Sequence, residues 1–178
     1  MKKKLYLPSL VLSGFFLLNS CAFLPHKKTN LIQWPADIQY MEAICELTVA
    51  LNDTQFSGDM SVKLNYPDVL SLEVYGPFGE TVLSIQKKKD SLVIRSGNNT
   101  VTDERQFFDM FKMTTRDFID DISLKGTKQQ DADGTLYLSK EQYRVTYFLG
   151  SGKDKICWKN PQGSMCIRFL DVSFNKKG

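Results

Sequence analysis

The stretch FSGDMSVKLNYPDVLSLEVYGPFG, residues 56–79, decides the predicted fold, because apolar and polar side chains alternate along it on both sides of a break at residues 66–68. In the first half, one face carries Phe56, Gly58, Met60, Val62, Leu64 and Tyr66. In the second half, the same face would carry Leu70, Leu72 and Val74. A period of two is typical of a strand with one face in a core and the other in water. The stretch therefore predicts an antiparallel strand pair followed by a loop over residues 76–79.

The same period continues on both sides of this pair. Upstream it covers residues 45–51, and downstream it recurs in residues 81–85, 92–94, 135–139, 143–149 and around 157–166. Short alternating segments separated by turn residues predict a meander of antiparallel strands. Ahead of the first strand, Pro35 and the recurrence of Ile38, Met41 and Ile44 predict a short helix over residues 35–44.

Two further helices are predicted where the alternation ends. Thr102 can cap the first free amides of a helix, and the two acids that follow it complement the positive end of the helix dipole. The apolar residues of this helix are Phe107, Phe108, Met110 and Phe111. A second helix, capped by Thr114 or Thr115 and ended by Gly126, carries Phe118, Ile119 and Ile122. Strands and helices in this order predict an α+β fold.

A hairpin near the C-terminus brings two cysteines opposite each other. If residues 160–163 form its turn, Cys157 faces Cys166 across the strands, and opposed positions lie about 4.5–5.5 Å apart, within disulfide range. In an oxidising compartment this pair would form a disulfide, and the alternative is two buried thiols. Cys45 is expected to be a buried thiol in either case.

The N-terminus has the parts of a secretory signal peptide. Lys2, Lys3 and Lys4 precede an apolar run over residues 10–18, which is too short to span a bilayer. Residues 18–21, Leu-Asn-Ser-Cys, resemble the lipobox of bacterial lipoproteins, in which the cysteine receives lipid. We therefore predict a signal peptide over residues 1–20, lipid attachment at Cys21, an acylated tether over residues 21–30 and one domain over residues 31–178. The alternative is a secreted protein in which Cys21 is an ordinary thiol.

Charge and chemistry exclude several classes of function. The chain carries 23 Lys and Arg against 20 Asp and Glu, and loss of the three lysines of residues 1–20 would leave 20 of each, so no basic patch indicates nucleic acid. The single histidine, His26, lies in the tether, which excludes histidine-based nucleophilic and zinc sites. Asp117, Asp120 and Asp121 are interpreted as the solvated face of a short helix. We expect no catalytic residue, no metal and no cofactor, and hence no enzyme.

A family resemblance rests on the strand pair 56–66 and 70–75, on residues 76–81 (Gly-Pro-Phe-Gly-Glu-Thr) and on the helix start at residues 102–104. Together with the predicted acylated cysteine, these resemble the LolB-like outer-membrane lipoprotein receptors, which share the LolA/LolB lipoprotein-localisation fold. The resemblance implies a bent, unclosed antiparallel β half-barrel with short helices covering its concave face. It covers about residues 45–126.

The resemblance also implies two sites. The first is an apolar cavity for acyl chains, for which the predicted lining residues are Met60, Val62, Leu64, Leu70, Leu72, Val74, Phe108, Phe111, Phe118 and Ile122. The alternative for these residues is an ordinary filled core. The second site is a membrane-insertion loop formed by Gly76, Pro77, Phe78 and Gly79, in which Phe78 would protrude; the alternative is a packed Phe78.

By this resemblance, the protein would be anchored in the outer membrane and would face the periplasm. Ala22 after the acylated cysteine, in place of Asp, fits that location. It would bind acyl chains of client lipoproteins received from a periplasmic LolA-type carrier and insert them into the membrane, so its partners would be the carrier, acylated clients and lipids. The alternative is a structural or accessory envelope lipoprotein that uses the same scaffold to hold a protein complex.

Overall fold

A computed structural model describes residues 31–51 and 54–175, which form eleven strands and two helices. The strands are β1 (Tyr40–Leu51), β2 (Thr54–Asn65), β3 (Val69–Tyr75), β4 (Thr81–Lys88), β5 (Ser91–Ser96), β6 (Asn99–Val101), β7 (Gln129–Gln130), β8 (Leu136–Ser139), β9 (Arg144–Phe148), β10 (Lys155–Asn160) and β11 (Gly163–Ser173). The helices are α1 (Glu104–Phe111) and α2 (Thr115–Ile122). The predicted signal peptide and the predicted tether, which begins at Cys21, lie outside the described residues.

All eleven strands belong to one antiparallel sheet. Their order is β6-β5-β4-β3-β2-β1-β11-β10-β9-β8-β7, so β6 and β7 form its two edges and the sheet does not close on itself. This confirms the predicted fold class, an unclosed antiparallel half-barrel with short helices. The register of the last hairpin is also the predicted one, with Cys157 opposite Cys166.

The core lies between one face of the sheet and the two helices. Along β2, Met60, Val62 and Leu64 are buried while Lys63 between them is exposed, as the period of two predicts. From the helical side, Phe118 of α2 contacts Trp158 of β10, with ring centroids 5.1 Å apart. The sheet therefore has one core face beneath the helices and one solvated face.

The predicted helix over residues 35–44 is wrong, because Tyr40 onward belongs to β1. In the strand, Met41 is fully buried whereas Ile44 is 51% exposed, so residues three apart lie on opposite faces. β1 is hydrogen-bonded on one side to β2 and on the other to β11. These two long ladders satisfy the backbone of β1 along its length, and a spacing shared by only three apolar residues is too weak a local preference to compete with them.

The cap of α1, the end of α2 and the two shortest strands differ from the prediction. Asp103, and not Thr102, caps α1, because its side chain accepts a hydrogen bond from the Arg105 amide. Thr114 caps α2, which ends at Ile122, so Gly126 lies beyond the helix and does not end it. The strands β6 and β7 were not predicted, since they contain only three and two residues and depend on pairing with β5 and β8.

Candidate functional site

A cavity of about 520 Å³ lies between the core face of the sheet and the helices. This volume is within the range of about 300–1,000 Å³ that is usual for small-molecule sites. Its lining residues are Leu47, Val49, Leu51, Phe56, Leu70, Leu72, Val74, Val82, Leu83, Ile85, Ile94, Ser96, Asn99, Val101, Phe107, Phe111, Phe118, Met165 and Ile167. Apart from Ser96 and Asn99, every lining side chain is apolar, so the site suits a hydrocarbon chain.

The floor of the cavity follows from the strand register. Leu72 pairs with Ile85, and Ile85 pairs with Ile94, so these three side chains form one row across β3, β4 and β5. Directly opposed side chains of an antiparallel pair share a face and lie close together. Several short alternating strands therefore build a continuous apolar surface that none of them could form alone.

Aromatic rings of the helices form the roof. Phe107 lies 4.8 Å from Phe111 within α1 and 6.4 Å from Phe118 of α2, measured between ring centroids. Residues four apart share a face of a helix. Because Asp103 sets the start of α1, Phe107 and Phe111 point to the sheet, whereas Phe108 is 37% exposed and does not line the cavity.

The structure brings half of the predicted cavity residues to the cavity. Those that line it are Leu70, Leu72, Val74, Phe111 and Phe118. Met60, Val62, Leu64 and Ile122 are instead buried core residues that do not line it, and Phe108 lies outside it, so these five assignments are corrected. An alternating pattern indicates which face of the sheet a side chain occupies, but it does not indicate whether the space above that face is filled.

None of the other fourteen lining residues was among the predicted cavity residues. The missed residues on β1 are Leu47, Val49 and Leu51, and those on β4 and β5 include Leu83, Ile85 and Ile94. All six lie in the alternating segments that predict strands, at residues 45–51, 81–85 and 92–94. Their assignment to a cavity required the sheet order, which places β11 beside β1 and β1 beside β2 and continues through β3 to β6.

The loop over residues 76–80 presents Phe78 to solvent on an ordered backbone. Phe78 is 94% exposed. The Gly76 amide donates to the Glu80 carbonyl at 2.8 Å, and the Phe78 amide donates to the Glu80 carboxylate at 3.1 Å. Gly79 has a φ of 81°, a conformation that favours glycine. The loop therefore holds an aromatic ring in water without a packing partner.

Gly76 and Glu80 explain the local sequence of this loop. A Cβ atom on Gly76 would lie 2.6 Å from the Glu80 Cδ atom, so only glycine lets the carboxylate fold back over the loop. That carboxylate then binds the amide of Phe78. The Gly-Pro-Phe-Gly-Glu sequence is thus a compact support for one exposed side chain.

The loop and the rim of the cavity lie at the same end of the sheet. Val74 pairs with Leu83, and Leu83 pairs with Ser96, just before the turn between β5 and β6. Residues 76–80 begin two positions after Val74 and therefore project from the end at which Ser96 lines the cavity. Phe56, which also lines the cavity, is 41% exposed near this end.

Asp121 forms a buried polar cluster away from the cavity lining. Its Oδ2 atom accepts hydrogen bonds from the Tyr143 hydroxyl at 2.8 Å and the Trp158 indole at 3.1 Å, and Lys140 Nζ lies 3.2 Å from its Oδ1 atom. Asp117 accepts a further hydrogen bond from Lys140 at 2.7 Å. The interpretation of these acids as a solvated face is therefore wrong for Asp121, which has no exposed surface.

The cluster fastens α2 to Trp158 of β10 and to Tyr143, which directly precedes β9. Burial raises the pKa of Asp121, although the hydrogen bond from Tyr143 and the charge of Lys140 oppose this effect. Burial also raises the pKa of Tyr143, with the Asp121 charge adding to it, so the phenol remains a donor. Within the described residues, no group of three or more His, Cys, Asp or Glu side chains could hold a metal ion.

The three cysteines of the described residues have separate environments. Cys157 and Cys166 are joined by a disulfide, with their Cα atoms 4.1 Å apart. Their neighbours Ile156 and Trp158 are buried, so alternation places the disulfide on the opposite face of the sheet. Cys45 is a buried free thiol, and burial raises its pKa to about 12.

Neither α1 nor α2 is long and apolar enough to cross a membrane.

Comparison with known proteins identifies the fold. No protein-family model matches the chain, and no curated protein matches it. Among solved structures, the chain is similar to a LolA superfamily protein from Nitrosomonas europaea, with a TM-score of 0.50 and 9% sequence identity over 83% of this chain and 90% of that one. At this identity the likeness concerns the fold alone, and the chain has a LolA/LolB-like fold.

Proposed function

We propose that this protein is a LolB-like acceptor, anchored in the outer membrane through Cys21, that receives acylated lipoproteins from a periplasmic LolA-type carrier and inserts them into that membrane. The observation that carries the proposal is the apolar cavity of about 520 Å³ with the exposed Phe78 loop at the same end of the sheet as its rim. The cavity supplies a place for hydrocarbon, and the loop supplies an aromatic side chain that can enter a bilayer interface.

Transfer through such a site is downhill and needs no nucleotide. Each methylene moved from water to an apolar site contributes about 0.8 kcal/mol, so small differences in how completely two cavities cover the same chain decide which of them holds it. The acceptor only has to bind the acyl chain more tightly than the carrier does. The bilayer, in turn, has to hold the acyl chain more tightly than either protein does.

The exposed ring has a cost in water that contact with a membrane would remove. A fully exposed phenylalanine on a hydrogen-bonded loop gains nothing from intramolecular packing, but a bilayer would bury it. The lipid anchor at Cys21 would keep the domain close to that surface. Mass spectrometry of the mature N-terminus tests the anchor directly, because acylation adds a defined mass to Cys21.

A transfer assay tests the proposed function. A LolA-type carrier loaded with an acylated client is mixed with this protein and liposomes, and the client is followed by sedimentation. We expect uptake from the carrier and delivery to liposomes for the wild type and for Phe78→Leu. Phe78→Glu should still take up the client but should deliver it at least tenfold more slowly, because a carboxylate enters the interface unfavourably.

Two outcomes would count against this proposal. Normal delivery by Phe78→Glu would remove Phe78 from the mechanism. Failure of the wild type to take any client from the carrier would remove the acceptor function, and a stable protein partner bound with the cavity empty would then favour the structural or accessory lipoprotein.

A further inference from the structure

The cavity wall formed by β5 and β6 changes from apolar to polar towards its rim. Ile94 pairs with Val101, and the next pair on the same face, Ser96 with Asn99, directly precedes the turn. All four residues line the cavity. Because side chains two positions apart along a strand share a face, the polar pair continues the apolar wall by one step towards solvent.

Ser96 and Asn99 are free to bind a ligand. Both residues are exposed, and neither side chain hydrogen bonds to another residue in the described part of the chain. Ser96 offers a hydroxyl that can donate or accept, and Asn99 offers an amide that can do both. They are the two polar residues of a lining that is otherwise hydrocarbon.

No charged side chain accompanies this pair among the described residues that line the cavity. Arg95 directly precedes Ser96 in the chain, but it pairs with Thr100 and Ser84 at the alternate positions and therefore belongs to the other face of the sheet. A free carboxylate at the rim would lose hydration without meeting a cation. An uncharged carbonyl would lose less hydration free energy than a carboxylate. It could also accept hydrogen bonds from both Ser96 and Asn99.

We propose that Ser96 and Asn99 form a subsite for the ester or amide carbonyl at the head of a bound acyl chain. This subsite makes the cavity selective for acyl chains in covalent linkage, as in an acylated protein or a glycerolipid, over free fatty acids. The inference rests on the proposed function, since it assigns a head-group contact to the same cavity.

Competition binding with three probes of equal chain length tests the subsite. Methyl dodecanoate, dodecanoate and dodecane displace a fluorescent apolar probe from the mature protein at pH 8, where the acid is ionised. We expect the wild type to bind the ester about tenfold more tightly than the carboxylate. The Ser96→Ala/Asn99→Ala variant should lose about tenfold in ester affinity and keep dodecane affinity within twofold.

A matched variant controls for general changes at this edge of the sheet. Ser91→Ala/Thr100→Ala alters exposed residues of the same two strands that do not line the cavity, and it should bind all three probes as the wild type does. Circular dichroism checks that both variants keep the fold. Unchanged ester affinity in Ser96→Ala/Asn99→Ala, or equal affinity of the wild type for ester and carboxylate, would overturn the subsite alone. Failure of all three probes to bind would overturn the acyl-binding function and the subsite with it.

Discussion

The two helices cover the same face of the sheet, but the spaces beneath them are built differently. Beneath α2, Ile119 and Ile122 are buried in the core, Phe118 is the one residue of this helix that lines the cavity, and Asp121 connects the helix to Tyr143 and Trp158. Beneath α1, Phe107 and Phe111 face an open apolar cavity. A closed core with a hydrogen-bonded buried polar cluster stabilises one arrangement of the chain, whereas an unfilled apolar surface is unfavourable in water unless a ligand covers it.

The attachment of the helices differs in the same way. α2 is held by buried hydrogen bonds to two strands, from Tyr147 of β9 to the Asp121 carbonyl and from Trp158 of β10 to the Asp121 carboxylate. The polar contact from α1 to α2 is made by Glu104, whose carboxylate accepts hydrogen bonds from the Thr115 amide at 3.1 Å and hydroxyl at 2.5 Å. Because the hydrogen bonds that hold α2 are buried and those between α1 and α2 are only partly buried, we assign α2 to the scaffold of the fold and α1 to the cover of the cavity.

The largest expected effect comes from breaking the polar cluster. Asp121→Ala leaves the buried Tyr143 and Trp158 and the partly exposed Lys140 without their common acceptor, which should lower the free energy of unfolding by about 3 kcal/mol. Urea denaturation followed by tryptophan fluorescence measures this change. Asp120→Ala, which removes only a surface ion pair with Arg116, should change stability by about 0.5 kcal/mol or less. Equal effects of the two substitutions would show that the cluster does not fasten α2.

Filling the cavity with a larger side chain should lower the affinity for ligand without unfolding the protein. Val101→Trp adds an aromatic ring to the wall and should lower the affinity for methyl dodecanoate at least tenfold, equivalent to about 1.4 kcal/mol, while the protein stays folded. The matched control is Val93→Trp, since Val93 lies between the buried residues Leu92 and Ile94 on the opposite face of β5. Fluorescence displacement provides the measurement, and similar affinities for the two variants would argue that the ligand does not occupy this cavity.

The smallest effect should come from loosening α1. Glu104→Ala removes the acceptor at the start of α2 and should cost about 1 kcal/mol or less of global stability. Hydrogen exchange should nevertheless become faster across residues 104–111 and remain slow across residues 115–122, because buried contacts still hold α2. Glu141→Ala, at an exposed residue in the turn before β9, provides the control. Equal acceleration in both helices would contradict the division between cover and scaffold.

Parts of this site were predictable because their signals are local. The alternation over residues 56–66 and 70–75 gives the strands and their buried face, and the turn at residues 160–163 gives the pairing of Cys157 with Cys166. The sequence leaves two alternatives for Phe78, an exposed ring and a packed ring. The geometry of its loop leaves the ring exposed. The helix predicted over residues 35–44 failed because pairing with two distant strands outweighs a short apolar spacing.

The sequence by itself determined the antiparallel strands, the helices α1 and α2 and the register that places Cys157 opposite Cys166, because each depends on neighbouring residues or on a short turn. Only the tertiary structure decided which apolar side chains fill a core and which line a cavity. Met60 and Leu72 have the same pattern and belong to adjacent strands, yet only Leu72 lines the cavity. The space above a sheet depends on where the helices rest, and their position depends on contacts such as Asp121 with Trp158, which join residues far apart in the chain.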